Sequence, residues 1–343
     1  MKNKITDFLI YHQPYRVILK SIRNIFFPLK YDNINEKWIS IEVSSICNAK
    51  CIFCNYKLGY RKGTLMDFSM YKNIIKSCQN MGINKLGLTS MGGEFFLHTK
   101  AVPMIKEAQK ANFNKIEIHT NGILLYKHNI KELLTSGLTD LLISFPGFEE
   151  SIFLEIYQTT RFNDFKKSIT QLLENHKQLK SNVTIRFEPR TYLSKKQIKN
   201  SVFYKEFVLK YISDKIILSD PLKIFDSWSG EIKNKDLKKG MKLEINPIKS
   251  LYPFKKVNLC YRLLTKAVKS NGEVRICNCR YDSTIDTPSD IFCIGNIKDY
   301  KNLSNLILKN QNKIKSLQID FHNGNIPKLC KNCSFYVPVN YKP

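Results

Sequence analysis

Residues 46–54 read Ile46-Cys47-Asn48-Ala49-Lys50-Cys51-Ile52-Phe53-Cys54, just after the apolar stretch Trp38 to Val43. The C-x-x-x-C-x-x-C spacing lets one short loop hold three irons of a cubane [4Fe-4S] cluster while the fourth iron stays open. An open iron is a reaction site rather than an electron store alone. Cys51 and Cys54 by themselves would suit half of a structural zinc site, but no fourth ligand lies within the loop.

Outward from this loop, six β-like runs follow in order: Trp38–Val43, Lys85–Thr89, Lys115–His119, Asp140–Phe145, Val183–Glu188 and Lys215–Ser219. Helical periodicity fills the intervals Ser69–Met81, Thr99–Ala111, Tyr126–Ser136, Phe165–Lys180 and Lys195–Tyr211. Strict alternation predicts parallel strands with right-handed crossovers, curled into a barrel or an open barrel. Each unusual polar or glycine-rich cluster falls just past the C-terminal end of a strand. They are the Cys loop, Met91-Gly92-Gly93-Glu94, Thr120-Asn121-Gly122, Ser144-Phe145-Pro146-Gly147 and Glu188-Pro189-Arg190. Parallel barrels gather their chemistry on that rim, so all five clusters are expected to meet one ligand.

The 343 residues can bury a large core and leave room for a smaller second unit. Four segments are expected: an amphipathic helical segment over 1–35, the barrel over 36–220, a connector over 221–256 and a cysteine-rich domain over 257–343. The connector is rich in Pro, Gly and Lys and contains the turn Asp226-Ser227-Trp228-Ser229-Gly230. The apolar residues of 8–27, with Arg16, Lys20 and Arg23 between them, suit a helix that either lies on a membrane surface or packs across the barrel bottom. Packing is preferred, so peripheral membrane contact is not favoured. Neither a secretory signal nor a long apolar run occurs, and a cytoplasmic location is expected. Ten cysteines at ligand spacing then point to metal binding rather than to disulfides. The formal charge of +26 favours acidic partners. Without an aromatic RNA-binding motif it gives no expectation of nucleic-acid binding.

Cys260, Cys277, Cys330 and Cys333 form a second constellation, C-x11-G-x4-C with Gly272 as its glycine, then a distant C-x-x-C. Four thiolates from two segments can ligate every iron of a cube and leave no open site. A zinc ribbon is the alternative. Cys78, beside Ile74 and Ile75, and Cys293, between Phe292 and Ile294, read as buried apolar thiols.

The first loop resembles the C-x-x-x-C-x-aromatic-C signature of the radical S-adenosylmethionine (SAM) enzymes, with Phe53 in the aromatic position, and matching motifs cover roughly residues 40–190 and 260–333. The resemblance implies an α/β fold: a partial (β/α)6 TIM-like barrel with a small C-terminal auxiliary-cluster domain. It implies a [4Fe-4S] cluster on Cys47, Cys51 and Cys54, whose open iron chelates the amine and carboxylate of SAM. When reduced, that cluster cleaves SAM to a 5′-deoxyadenosyl radical. Gly92-Gly93-Glu94 is similar to the family's G-G-E motif, which binds the SAM amino group, although Phe95 stands where proline is usual. Thr120-Asn121-Gly122 recurs in the family, which brings Asn121 to the cofactor. Ser144 is similar to the strand-end serine that contacts SAM, and Arg161 to an arginine that reaches its carboxylate in related enzymes. The second constellation resembles the SPASM and shorter Twitch domains. The Gly272 spacing favours Cys277 over Cys279 as ligand, and one auxiliary [4Fe-4S] cluster is expected because a full SPASM domain carries more cysteines downstream.

The expected reaction is hydrogen abstraction from a small-molecule or carbohydrate-like substrate, a net oxidation aided by the auxiliary cluster. Glu188, Arg190 and Asp226 are expected to contact the substrate. The alternative within the family is a maturase acting on a ribosomal peptide. About 35 residues before the first strand are too few for a separate peptide-recognition domain, which tilts the reading toward the small substrate. An acidic electron donor such as flavodoxin or ferredoxin would suit the basic surface. Two readings of other classes remain: a non-enzymatic iron–sulfur electron carrier and a zinc-stabilised nucleic-acid-binding protein.

Overall fold

Burial alternates along three central strands, β3 (Lys115–Thr120), β4 (Asp140–Phe145) and β5 (Thr184–Pro189). Ile116, Ile118, Leu141, Ile143, Ile185 and Phe187 are fully buried on one face, while His119 and Ser144 on the other line a cavity. A sheet with helices outside and a hollow inside gives this pattern. The computed structural model describes residues 29–30, 37–58, 63–88, 92–244, 259–277, 291–331, 333 and 338–340. The expected helix over 8–27, Thr89, Met91, Cys279 and residues 245–256 lie outside the described residues.

The remaining strands of the sheet are β1 (Trp38–Ile41), β2 (Lys85–Gly87), β6 (Ile216–Leu218), β7 (Lys266–Val268), β8 (Glu273–Arg275) and β9 (Cys293–Asn296). Their order is β9-β8-β7-β1-β2-β3-β4-β5-β6. All neighbours from β7 through β6 are parallel, whereas β8 and β9 run antiparallel. The six strands read from sequence are all present: three are two residues shorter, one is a residue longer, one is identical and one is shifted by a residue. The expected second unit is joined to them. Lys266, Ala267 and Val268 pair with Ile39, Ser40 and Ile41, so the C-terminal segment continues the barrel sheet on the strand that leads into the Cys loop.

Helices α1 (Phe68–Asn80), α2 (Ala101–Lys110), α3 (Ile130–Leu134) and α4 (Phe162–Gln178) pack in sequence around the sheet. Each has an apolar stripe; in α4 it is Phe162, Phe165, Ile169, Leu172 and Leu173. Asp67 starts α1 by accepting the Ser69 and Met70 amides. Lys195–Tyr211, expected as one helix, is a short helix α5 (Lys195–Asn200) followed by a π-helical turn at Tyr204–Val208. In the C-terminal segment, α6 (Leu303–Lys309) packs on α1, and α7 (Gln311–His322) follows it. The connector begins at the end of β5, where the Leu222 amide donates to the Pro189 carbonyl at 2.7 Å. It then forms a parallel pair, Ile224–Phe225 with Lys242–Leu243.

Candidate active site

Three backbone anchors hold the Cys loop over the barrel mouth. Lys50 and Ile52 donate their amides to the carbonyls of Tyr157 and Ile156 at 3.1 and 3.0 Å, and the Glu94 amide donates to Ile46 at 2.7 Å. The acceptors of the first two lie in a π-helical turn, Phe153–Tyr157, after β4, and such turns widen the spacing of backbone groups where a site needs it. Gly93 fits under the loop because it has no side chain. A Cβ there would stand 2.2 Å from the Ser44 carbonyl oxygen and 2.9 Å from Ser45 Cα, which no rotamer change can relieve.

A cavity of about 190 Å³ opens beneath. Cys47, Cys51, Cys54, Phe53, Gly92, Gly93, Glu94, Asn121, Ser144 and Arg190, all read from sequence as site residues, line it. Glu94 is its centre. Only 2% exposed, its carboxylate accepts the Thr120 hydroxyl at 2.6 Å, the Asn121 amide at 2.8 Å and the Phe96 amide at 3.2 Å. Burial raises its pKa, and these donors offset part of the rise. Asn121 also reaches the Cys loop, with its Nδ2 donating to Asn48 Oδ1 at 2.7 Å and lying 3.9 Å from Cys47 Sγ. Ser144 accepts the Tyr157 hydroxyl at 3.1 Å.

The three thiols sense one another. Burial pushes Cys47 up to about 12, with the Glu94 charge and Cys54 adding to it. Cys51 is held well above its ordinary value by burial, then by Cys54 and Cys47. Burial also raises Cys54, against which Arg190 pulls. Among the described residues, no three His, Cys, Asp or Glu side chains are gathered tightly enough to hold one metal ion. Three buried thiols beside a buried carboxylate are a donor set whose ionised form calls for strong positive charge. Thiolate-bound irons and an ammonium group are of that kind, so the residues present fit the cluster and a cationic ligand.

Arg161 is placed elsewhere. Its Nε sits 3.2 Å from Asp164 Oδ2 at the start of α4, 38% exposed, and it does not line the cavity. The cavity's arginine is Arg190, whose Nη2 lies 3.6 Å from Glu188 Oε2. Glu188 and Asp226 stand beside the cavity rather than in its lining, although the Asp226 charge is felt at Cys54. The lining also contains Tyr56, Tyr157, Trp228 and His119, which sequence reading had not placed there. His119 Nε2 lies 3.3 Å from Glu117 Oε1. Trp228 carried a signal, an aromatic inside a tight turn, that read only as part of a connector.

The second constellation also converges. Burial raises the Cys330 thiol, and Cys277, Cys260 and Cys333 each add to the rise while Arg275 opposes it. Cys260, Cys277 and Cys333 are buried, and Arg275 is wholly enclosed, with Nη1 donating to the Cys277 carbonyl at 3.0 Å. Cys78 and Cys293 are buried in the core.

A parallel barrel with a three-thiol loop and a buried carboxylate on its carboxyl rim defines a class of iron–sulfur barrel proteins. Comparison with known proteins agrees: residues 41–186 match the profile of the Radical SAM superfamily. The GTP 3′,8-cyclase of Clostridium perfringens is 31% identical over 152 residues, covering 43% of this chain and 46% of that protein. The GTP 3′,8-cyclase of Clostridium acetobutylicum is 33% identical over 158 residues, or 44% and 48%. The chain thus spans about half the length of the curated relatives it matches. The crystal structure of BtrN in complex with AdoMet and 2-DOIA superposes with a TM-score of 0.53 at 15% identity, over 87% of this chain and 92% of that one, a likeness of fold. Over residues 41–186 the chain is thus similar to the radical SAM superfamily, whose members use a [4Fe-4S] cluster and SAM.

Proposed function

We propose that this protein is an oxidoreductase that holds a [4Fe-4S] cluster on Cys47, Cys51 and Cys54, binds SAM in the adjoining cavity and oxidises a small-molecule substrate there. The reading is carried by Glu94, a buried carboxylate beside three thiols, aimed by Thr120, Asn121 and Phe96 into the space a cationic cofactor would fill. A reduced cluster held there would supply the electron needed to cleave SAM, the chemistry that hydrogen abstraction from a substrate requires. The chain's own part is to bind and orient. Glu94 receives the ammonium group, Gly92 and Gly93 bring backbone within reach, and Asn121 ties the β3 loop to the Cys loop. Ser144 and Tyr157 supply hydroxyls to the cavity lining. Arg190, in place of Arg161, is the cavity's cation for a carboxylate or an anionic substrate group.

Cys260, Cys277, Cys330 and Cys333 would hold one auxiliary [4Fe-4S] cluster, ligated on every iron, suited to accept the electron left by substrate oxidation. Its donor set fits, since four thiols gather beside one buried arginine. Two relatives named for a reaction of GTP lend support to a small substrate over a peptide. Among the described residues, no helix is long and apolar enough to cross a membrane. An acidic flavodoxin or ferredoxin is the proposed electron donor.

The test is anaerobic reconstitution followed by metal analysis and incubation with SAM and reductant. About eight irons per chain are expected from two cubes. Formation of 5′-deoxyadenosine is the second expected result, with deuterium moving into it from the correct labelled substrate. Zinc without iron, or iron without deoxyadenosine, would instead support the zinc or electron-carrier reading.

A further inference from the structure

The connector turn around Trp228 grips the Cys loop. The indole Nε1–H donates to the Phe53 carbonyl at 2.9 Å, and the Trp228 side chain forms part of the cavity wall. Three residues earlier, Phe225 stacks on the Phe53 ring with centroids 4.7 Å apart. One segment thereby holds both the backbone and the side chain of the residue that precedes Cys54. A third tie follows at Lys57, 3.6 Å from Asp236. The same turn, Trp228–Gly230, packs against the helical turn Lys328–Lys331, which carries Cys330. Trp228 has φ 49°, in the left-handed region that bulky residues rarely adopt and that persists only where the surroundings enforce it. Its geometry is what aims the indole at the loop.

We infer that Trp228 is a positioning residue shared by the two cysteine centres, whose indole holds the Cys51–Cys54 turn closed and thereby retains the metal of the first centre. The inference rests on the reading of both centres as iron–sulfur sites. A cluster held by three protein ligands loses iron when one ligand swings away, and Cys54 follows directly on the tethered carbonyl. Restraining that peptide plane therefore restrains the third ligand. The contact with Lys328–Lys331 gives the turn a fixed base from which to do so.

The full-length protein is reconstituted with iron and sulfide without oxygen, and iron release to a ferrous chelator is followed by absorbance. Trp228→Phe keeps a ring and removes the N–H donor. It is expected to load as much iron as the parent and then to lose the first centre's share about threefold to tenfold faster, the factor a lost neutral hydrogen bond provides. Phe225→Leu, which keeps the indole bond and removes the stacked ring, is expected to accelerate release as well. Repeating the measurement in a Cys330→Ser background leaves only the first centre and identifies whose iron is leaving. A merely structural role would lower the melting temperature without selectivity between the centres. Parental release rates in both variants, or acceleration confined to the second centre, would overturn the inference while the iron–sulfur reading stands. A parent protein that takes up no iron overturns the reading beneath it, and the inference with it.

Discussion

Glu94 is the residue on which cofactor binding turns. Glu94→Gln keeps the size and most of the hydrogen bonds but removes the charge that faces an ammonium group. SAM affinity is expected to fall about 10-fold to 100-fold by calorimetric titration, the range of a charge-assisted bond, with iron content unchanged. Arg161→Ala should leave affinity within about twofold, since an exposed arginine paired with Asp164 lies outside the cavity. The thiols give a pH dependence. Cys47 is held at about 12 against an ordinary 9.0, so its neutral form favours the folded metal-free chain. That contribution is complete below about pH 9 and is lost as pH rises toward about 12. The melting temperature of metal-free protein should therefore fall across this alkaline window, and iron loading should flatten the fall because the thiolates are then ligands. A metal-free melting curve that stays level there would contradict the placement of Cys47. At this scale the loop cysteines could be read from residue type and spacing, whereas the Gly-Gly-Glu run and Ser144 were marked by their place at strand ends and given a role only by the family resemblance. Tyr157 and Trp228 were not, because neither a π-helical turn nor a left-handed tryptophan leaves a periodic trace.

At the scale of elements, six strands could be read because each carries a run of apolar or alternating residues between turn signals. The strands β7 to β9 escaped for a physical reason. β8 is Glu273-Val274-Arg275, and all three are buried, so charged residues occupy places where a pattern reader expects apolar ones. Their charges are met inside the fold: Lys269 Nζ lies 2.7 Å from Glu273 Oε2, with side chains 1% and 10% exposed. Nearby, Ser270 joins Thr64 Oγ1 at 2.6 Å and donates to Glu42 Oε1 at 3.2 Å, linking β7 to the strand that feeds the Cys loop. Lys269→Met would leave Glu273 enclosed without its counter-ion and should cost about 3–5 kcal/mol by urea denaturation. Pairing it with Glu273→Leu should recover most of that loss. A single variant as stable as the parent would show that the ion pair does not hold the hairpin.

For the whole molecule, the first centre and Cys277 adjoin one nine-stranded sheet while Cys260 and Cys330 come from other elements, and the two centres should load separately. Cys330→Ser is expected to lower bound iron from about eight to about four per chain while leaving SAM cleavage in place. Loss of both iron pools together would mean that the second centre is needed to build the first. The charge of +26 belongs to this scale too, since it can steer an acidic donor from a distance although it fixes no single contact.

Strand β1 lies between β2 and β7, and its partner on the β7 side is encoded more than two hundred residues downstream, at Lys266–Val268. During synthesis, one edge of the nascent barrel therefore stays uncovered until most of the polypeptide has left the ribosome. An unpaired parallel edge is a template for sticking to other chains. Translation products stopped short of residue 268 should accordingly aggregate or be degraded, and a chaperone that shields exposed edges would matter most in that interval.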